Sequence, residues 1–550
     1  MNPVRNSKNK HFFKSSKKFR LRFKISNGVK SIDPNIFNPY DIRGVYPDEI
    51  NEEVIESIGK AFIDFLRKKY KKKKLKIVIS RDNRISSFSL YKALKKEILK
   101  QGIELIDIGL SSTPMFYFAV RRFNCDGGVQ ITASHLAPQY NGCKLVDKEV
   151  IGIGENSGLK EIKKMVLSSS LKLRRASQRT SQRTSQRAKK KDVLKDYLKF
   201  NFKGIKVKKT ENLRIAIDTG NAVSGILIKE FKKYFPGKIY HLFPELDGNF
   251  QNHLPNPLKE KNIGDLKKIV KEKKLDLGVA FDGDGDRIVF IDEKGEMISP
   301  DFIICLISEI LLRKNKKEKI IYTICSSNII KEVVEKNYGT AIPWKVGHSF
   351  IKEKMKKEKA IFGGEYSGHY FLRSHNFSEV PLYILLKVLK EIVESGKSIS
   401  KLILVYKNPR RSAPQNLDFH GCAVKNKNHA SLCSAEPCSL ASLESKNPRR
   451  SAPQNLDFHG CAVKYKKYFH SGIINFAVKD KKKKLKEIEK KYKKGKISRL
   501  DGLRIDFPNY WLNVRSSNTE DLLRVALEAK TDALFKKKLK ELKKSIKNPA

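Results

Sequence analysis

Long apolar runs are missing from this chain of 550 residues. The strongest, 302–312, is interrupted by Ser308 and Glu309 and falls short of the roughly 20 residues that a membrane-crossing helix needs. The basic stretch 1–30 builds no apolar core of signal-peptide length, so a cytoplasmic location and no membrane partner are expected. Cysteine is sparse: eight residues scattered over the chain exclude a disulfide scaffold and point to reduced thiols. Acidic residues are in short supply, with 59 Asp and Glu against 114 Lys and Arg, a formal net charge of +55. Such a balance attracts polyanions. The lysines nevertheless run along the whole chain, as in 71–74 and 481–484, without aromatic residues spaced for base stacking. Solvated helix faces account for them, and no specific nucleic-acid partner is expected.

What is present is enough chain for several domains. Three segments differ from the rest. Residues 1–30 form a basic lead-in. Residues 168–190 carry the tandem pattern Ser177-Gln178-Arg179-Thr180, Ser181-Gln182-Arg183-Thr184, Ser185-Gln186-Arg187, which has no apolar period and is expected to be a disordered loop. Residues 407–425 recur without change at 446–464, and two copies are too few for a stacked solenoid. The repeated His420, Cys422, His459 and Cys461 match no common zinc module, so 407–464 reads as an insertion into a domain linker. Elsewhere short β-rich runs such as 76–80, 213–218 and 275–281 alternate with amphipathic stretches, the pattern of α/β domains with mainly parallel sheets. Ligand chemistry in such sheets gathers at the carboxyl ends of strands.

Two of those ends stand out. In Asp282-Gly283-Asp284-Gly285-Asp286-Arg287, three carboxylates alternate with glycines in a turn between two β-like runs. Their mutual repulsion and hard oxygen atoms suit Mg²⁺ or Ca²⁺, although a solvated acidic turn would explain an isolated motif equally well. An EF-hand is excluded at the sixth position, where Arg287 stands in place of glycine. Thr132-Ala133-Ser134-His135 follows the mostly apolar 128–131, and Tyr140-Asn141-Gly142-Cys143-Lys144 comes soon after. Alone, Ser134 would be an ordinary turn or cap residue.

Taken together and in this order, these segments resemble the α-D-phosphohexomutase family, phosphomannomutase/phosphoglucomutase branch. The resemblance implies an α/β fold of four domains: three similar mixed α/β domains (31–167, 191–298 and 299–406) and a smaller C-terminal α+β domain (465–550). It implies that Ser134 carries the transferred phosphoryl group and completes a Mg²⁺ site with Asp282, Asp284 and Asp286. Arg43, in the opening motif Asn38-Pro39-Tyr40-Asp41-Ile42-Arg43-Gly44, would face the phosphoserine. His135, Lys144, Arg287 and His348 would complete the catalytic set. Glu365 and Ser367, in Gly363-Gly364-Glu365-Tyr366-Ser367-Gly368-His369, would hold sugar hydroxyls. Arg515, Ser517, Asn518, Thr519 and Arg524 would bind the distant phosphate. Ser517 and Glu520 are spaced as a capping box before an expected helix at 522–529, whose N–H groups would add to that site.

The implied reaction interconverts hexose 1-phosphate and hexose 6-phosphate of mannose or glucose through a hexose 1,6-bisphosphate intermediate and activator, in a monomer or homodimer. The alternatives are a phosphoglucosamine mutase and, in another class, a basic binding protein on the same scaffold. Departures from the family pattern are Leu136 and Ala137 in place of Asn-Pro, Trp344 in place of Thr, no acidic DDG run at 377–380, and Asp521 in place of Pro. Because 402–406 and 465–476 read as one connection without the insertion, a variant lacking 407–464 should keep fold and activity. Circular dichroism and turnover of that variant check this, and loss of either would contradict it.

Overall fold

The structure, a computed structural model, describes residues 32–173, 187–205, 210–407, 467–517 and 522–547. The lead-in 1–30 lies outside them, as do most of 168–190 and nearly all of 407–464. The ends of 168–190 are regular, against the expected loop. The helix Lys160–Leu173 runs into the segment, and Lys189–Lys190 pairs as an edge strand with Glu104–Leu110.

Three sheets share one plan. In the first, Glu104–Leu110, Lys76–Arg81 and Gly127–Ile131 are parallel neighbours, and Gly127–Ile131 turns back antiparallel into Tyr140–Asp147. The second repeats this with Lys238–Leu242, Arg214–Asp218, Leu277–Phe281 and then Ile288–Ile291. The third does so with Thr340–Trp344, Lys319–Thr323, Phe362–Gly364 and then Tyr370–Leu372. Central strands such as Ile77-Val78-Ile79 and Ile215-Ala216-Ile217 are buried along their length, because helices cover both faces. One contiguous apolar cluster runs from Phe116 under the first sheet through Phe281 and Phe290 to Ile304 and Leu385, so these sheets share a core. Among the described residues no helix is long and apolar enough to cross a membrane.

The fourth sheet is an antiparallel meander of Lys496–Ser498, Leu503–Asp506, Tyr510–Ser516 and Leu522–Ala529, with the helices Lys481–Lys491 and Asp532–Lys547 on one face. The expected helix at 522–529 is therefore a strand. Its Leu, Ala and Glu favour helix, but Leu523, Val525 and Leu527 alternate into the apolar cluster, and pairing with Tyr510–Ser516 overrides local preference. Ser517 caps no helix; its N–H donates to Leu522 O at 2.8 Å, drawing the two ends of the connection together.

The opposite face of Leu522–Ala529 packs on the third sheet. Glu528 Oε1 accepts from Asn328 N (3.1 Å) and Trp511 Nε1 (2.8 Å), while Arg504 stacks on Trp511 and donates to Ile324 O. Burial raises Glu528 to about 7, and burial aided by Glu528 raises Asp301 to about 7. A carboxyl raised in the folded state binds its proton more tightly there than in the unfolded chain. The resulting stability is complete below the unfolded value and disappears as pH climbs through about 7. Glu528→Gln keeps both accepted hydrogen bonds. It should flatten the fall in unfolding free energy between about pH 4.5 and 7 by on the order of 2 kcal/mol, measured by denaturant titration. An unchanged slope would place the titration elsewhere.

Candidate functional site

Each of the three related sheets sends one hairpin connection to the same place: 132–139 from the first, 282–287 from the second and 365–369 from the third. The first two touch through their backbones. A Cβ on Gly283 would lie 2.3 Å from Ser134 O, so glycine is required for this approach. Ser134 is buried, adopts a left-handed φ of 52°, and donates from Oγ to Asp282 Oδ2 at 3.1 Å. His135 Nδ1 lies 3.2 Å from the same Oγ. Burial, then Arg287 and Arg43, drives the His135 pKa well below the usual histidine range, so its ring is neutral.

Asp282, Asp284 and Asp286 are all buried, and each has a carboxylate oxygen within 4.8 Å of those of the others. Lys144 Nζ, from strand Tyr140–Asp147, sits 2.5 Å from both Asp284 Oδ2 and Asp286 Oδ2. Burial opposes the Lys144 charge, but Asp284 and then Asp286 raise its pKa well above normal. Thr113 holds Asp284 from the other side, with Oγ1 2.6 Å from Oδ2 and its N–H donating to the Asp284 carbonyl. Asp284 Oδ1 finds no hydrogen-bond partner among the described residues. Burial, then Asp286 and Asp284, lifts the Asp282 pKa well above the carboxylate range. Three converging hard oxygen donors, one unsatisfied and one favouring a proton, fit a divalent cation such as Mg²⁺.

The third connection closes on this group through His369. Its Nε2 lies 3.1 Å from Asp286 Oδ1 and its Nδ1 2.8 Å from Glu365 Oε2. Burial disfavours its charge, but Asp286 outweighs that and raises His369 to about 9. Nε2 then carries a proton toward Asp286, and the 3.2 Å approach of Arg287 Nε is a contact between two donors rather than a hydrogen bond. Glu365 Oε1 accepts from Gly347 N at 2.7 Å, and Ser367 Oγ reaches His369 Nδ1 at 2.9 Å.

Ser134, His135, Lys144, the three aspartates, Arg287, Glu365 and Ser367 thus converge. Arg43 pairs with Asp41 at 2.5 Å, and Tyr40 beside it lies within electrostatic reach of Arg43, Arg515 and Arg524. His348 begins the helix His348–Glu358, 6.2 Å ring to ring from His369. Burial, then Lys144 and Lys352, holds it neutral, and neither ring nitrogen has a hydrogen-bond partner among the described residues. Arg515 and Arg524 stand opposite each other in the fourth sheet. Asp501 Oδ2 accepts from Val346 N at 3.0 Å and lies 3.8 Å from Arg515 Nε, tying that sheet to the turn before His348. Asn518 and Thr519 lie outside the described residues. Sequence reasoning missed His369, whose signal was its place four residues after Glu365, as well as Thr113.

Four family models match the chain in order. They are the phosphoglucomutase/phosphomannomutase α/β/α domains I, II and III at 34–172, 193–295 and 299–408, and the C-terminal domain at 473–545. A phosphomannomutase of Methanocaldococcus jannaschii is 32% identical over 515 residues, 94% of this chain and 98% of its own. One from Vibrio cholerae is 32% identical over 522 residues, 93% of this chain and 98% of its own. The crystal structure of a phosphoglucomutase/phosphomannomutase family protein from Burkholderia thailandensis superposes with a TM-score of 0.72 at 24% identity, over 94% of this chain and 98% of that one.

A cation at the aspartates should appear in the melting curve. At 100 times its dissociation constant Mg²⁺ should stabilise the protein by about 2.7 kcal/mol over the same sample in EDTA. Asp284→Asn should lose most of that gain while being no less stable in EDTA, since one buried charge is gone. An equal Mg²⁺ shift in both proteins would remove Asp284 from the site.

Proposed function

The chain belongs to the phosphoglucomutase/phosphomannomutase family, and from that membership and its site we propose that it interconverts hexose 1-phosphates and hexose 6-phosphates through a phosphorylated Ser134. The observation that carries this reading is Ser134 Oγ, buried and 3.1 Å from a cluster of three aspartates, on a loop held left-handed at the serine. An ordinary turn residue needs neither that burial nor the neighbouring aspartates.

Phosphate monoesters react very slowly in water, so the protein must position donor and acceptor oxygens, offset charge and exclude solvent. Asp282, Asp284 and Asp286, with the Ser134 phosphate, would hold Mg²⁺, which supplies charge neutralisation at the phosphoryl oxygens. Lys144 holds two of these carboxylates in place. Arg287 and Arg43 add positive charge beside Ser134, and the neutral His135 contacts its Oγ. Glu365, its carboxylate fixed by Gly347 N–H and His369, presents oxygen to the sugar hydroxyls together with Ser367. Arg515 and Arg524, cross-strand neighbours in the fourth sheet, would take the phosphate of the incoming substrate.

In the transfer, the bond between phosphorus and Ser134 Oγ breaks as one forms to the free sugar hydroxyl. The hydroxyl proton goes to a neutral imidazole, a part that fits His348, whose ring nitrogens have no hydrogen-bond partner among the described residues and whose Nδ1 lies 3.6 Å from Glu379 Oε1. The hexose bisphosphate then turns end for end, and its other phosphoryl group returns to Ser134.

Ser134→Ala should stay folded yet lose at least about a thousandfold in kcat. Intact-mass analysis of wild type treated with glucose 1,6-bisphosphate should find one phosphate, on the peptide containing Ser134. Coupled assays with mannose 1-phosphate, glucose 1-phosphate and glucosamine 1-phosphate would identify the sugar. Phosphate on another residue, or near-normal turnover by Ser134→Ala, would falsify the reading.

A further inference from the structure

Arg84 is almost fully buried, yet it lies in a turn between Lys76–Arg81 and the helix Ser87–Lys100, in none of the three hairpin connections. Its guanidinium has five N–H groups, and each has an acceptor. Nη2 donates to Ser134 O (2.7 Å) and Leu136 O (2.8 Å), Nη1 to Ala137 O (2.7 Å) and Tyr140 O (3.1 Å), and Nε to Asp82 Oδ2 (3.2 Å). Four of the five therefore end on main-chain carbonyls of one segment, the one that carries Ser134.

The turn is itself braced. Asp82 Oδ1 accepts from Arg84 N at 3.1 Å, and Asn141 Nδ2 donates to Ser86 and Ser87 at 2.8 and 3.0 Å. The second sheet's loops back it, with Phe250 5.1 Å from the guanidinium and Asn83 Nδ2 2.8 Å from Asn221 O.

We propose that Arg84 is a positioning residue for phosphoryl transfer, gathering the carbonyls of the serine loop on one cation so that Ser134 Oγ stays aimed at the aspartates. The inference rests on the reading of Ser134 as the phosphorylated residue. Two physical facts require such a device. Ser134 is a non-glycine residue at φ 52°, a conformation that persists only where its surroundings impose it. A phosphoryl group on Ser134 brings nearly two negative charges, and carbonyl oxygens engaged by a guanidinium cannot turn toward it. Lysine has three donors and no planar fork, so it cannot hold four carbonyls in this arrangement.

The experiment uses the full chain with Mg²⁺ and glucose 1,6-bisphosphate as phosphoryl donor. Arg84→Lys should remain folded by circular dichroism and keep its KM for hexose 1-phosphate within about threefold, since other sheets hold sugar and distal phosphate. Its kcat per folded molecule, and the rate at which Ser134 gains phosphate by intact mass, should both fall about a hundredfold, the scale expected for misplacing a reacting atom by about 1 Å. Asp82→Asn, which leaves the guanidinium but removes its charged brace, should lose about tenfold in the same two rates, and decides the matter if Arg84→Lys does not fold. A purely structural role would lower the folded fraction and leave both rates per folded molecule at the wild-type value. That result in either folded variant overturns the proposal. Wild type that gains no phosphate on Ser134 would instead overturn the reading beneath it.

Discussion

One ammonium group holds the two halves of the site together. Lys144 Nζ comes from the first sheet and lies 2.5 Å from two carboxylates of the second, all of them buried. Neighbouring carboxylates in a dry pocket repel one another, and the ammonium set between Asp284 and Asp286 offsets that repulsion. The position of Ser134 follows from that contact. The serine loop and Lys144 flank the same hairpin, and what fixes the lysine against the aspartates also brings the hydroxyl to Asp282.

Three copies of one connection supply three different chemistries. In each sheet the third parallel strand turns back antiparallel, and the turn bears respectively a hydroxyl, a cluster of carboxylates, and a glutamate with a histidine. The fold determines where the turns point, and the residues on them determine what they do. His369 is the join between the last two, because its two nitrogens face Asp286 and Glu365.

The parts of the site that were legible in the sequence are those whose signal is local. Alternating aspartates and glycines, and a serine at the end of an apolar strand, can be read without partners. Arg84 could not be found in that way, because its partners are main-chain carbonyls, which leave no residue pattern, and they lie some fifty positions away. The capping-box spacing of Ser517 and Glu520 points to a helix at 522–529, whereas the alternation of Leu523, Val525 and Leu527 carries the period of the strand that forms. The repeated plan of the sheets was legible only as a class, since register and strand order depend on contacts between distant segments.

The bare backbone at Gly283 has a mechanical consequence. With no side chain between Ser134 O and the acidic turn, the first and second sheets meet like two gear teeth without play, and they share a continuous core behind the contact. The fourth sheet meets the third through a small apolar patch of Cys325, Trp511 and Ala526 and a few hydrogen bonds. The first and second sheets are thus joined through a continuous core, and the fourth sheet, which carries Arg515 and Arg524, through a separate small cluster. Under the proposed reaction, a substrate inverted between two half-reactions would use that difference: the end that reacts would stay still, and the end that grips would let go.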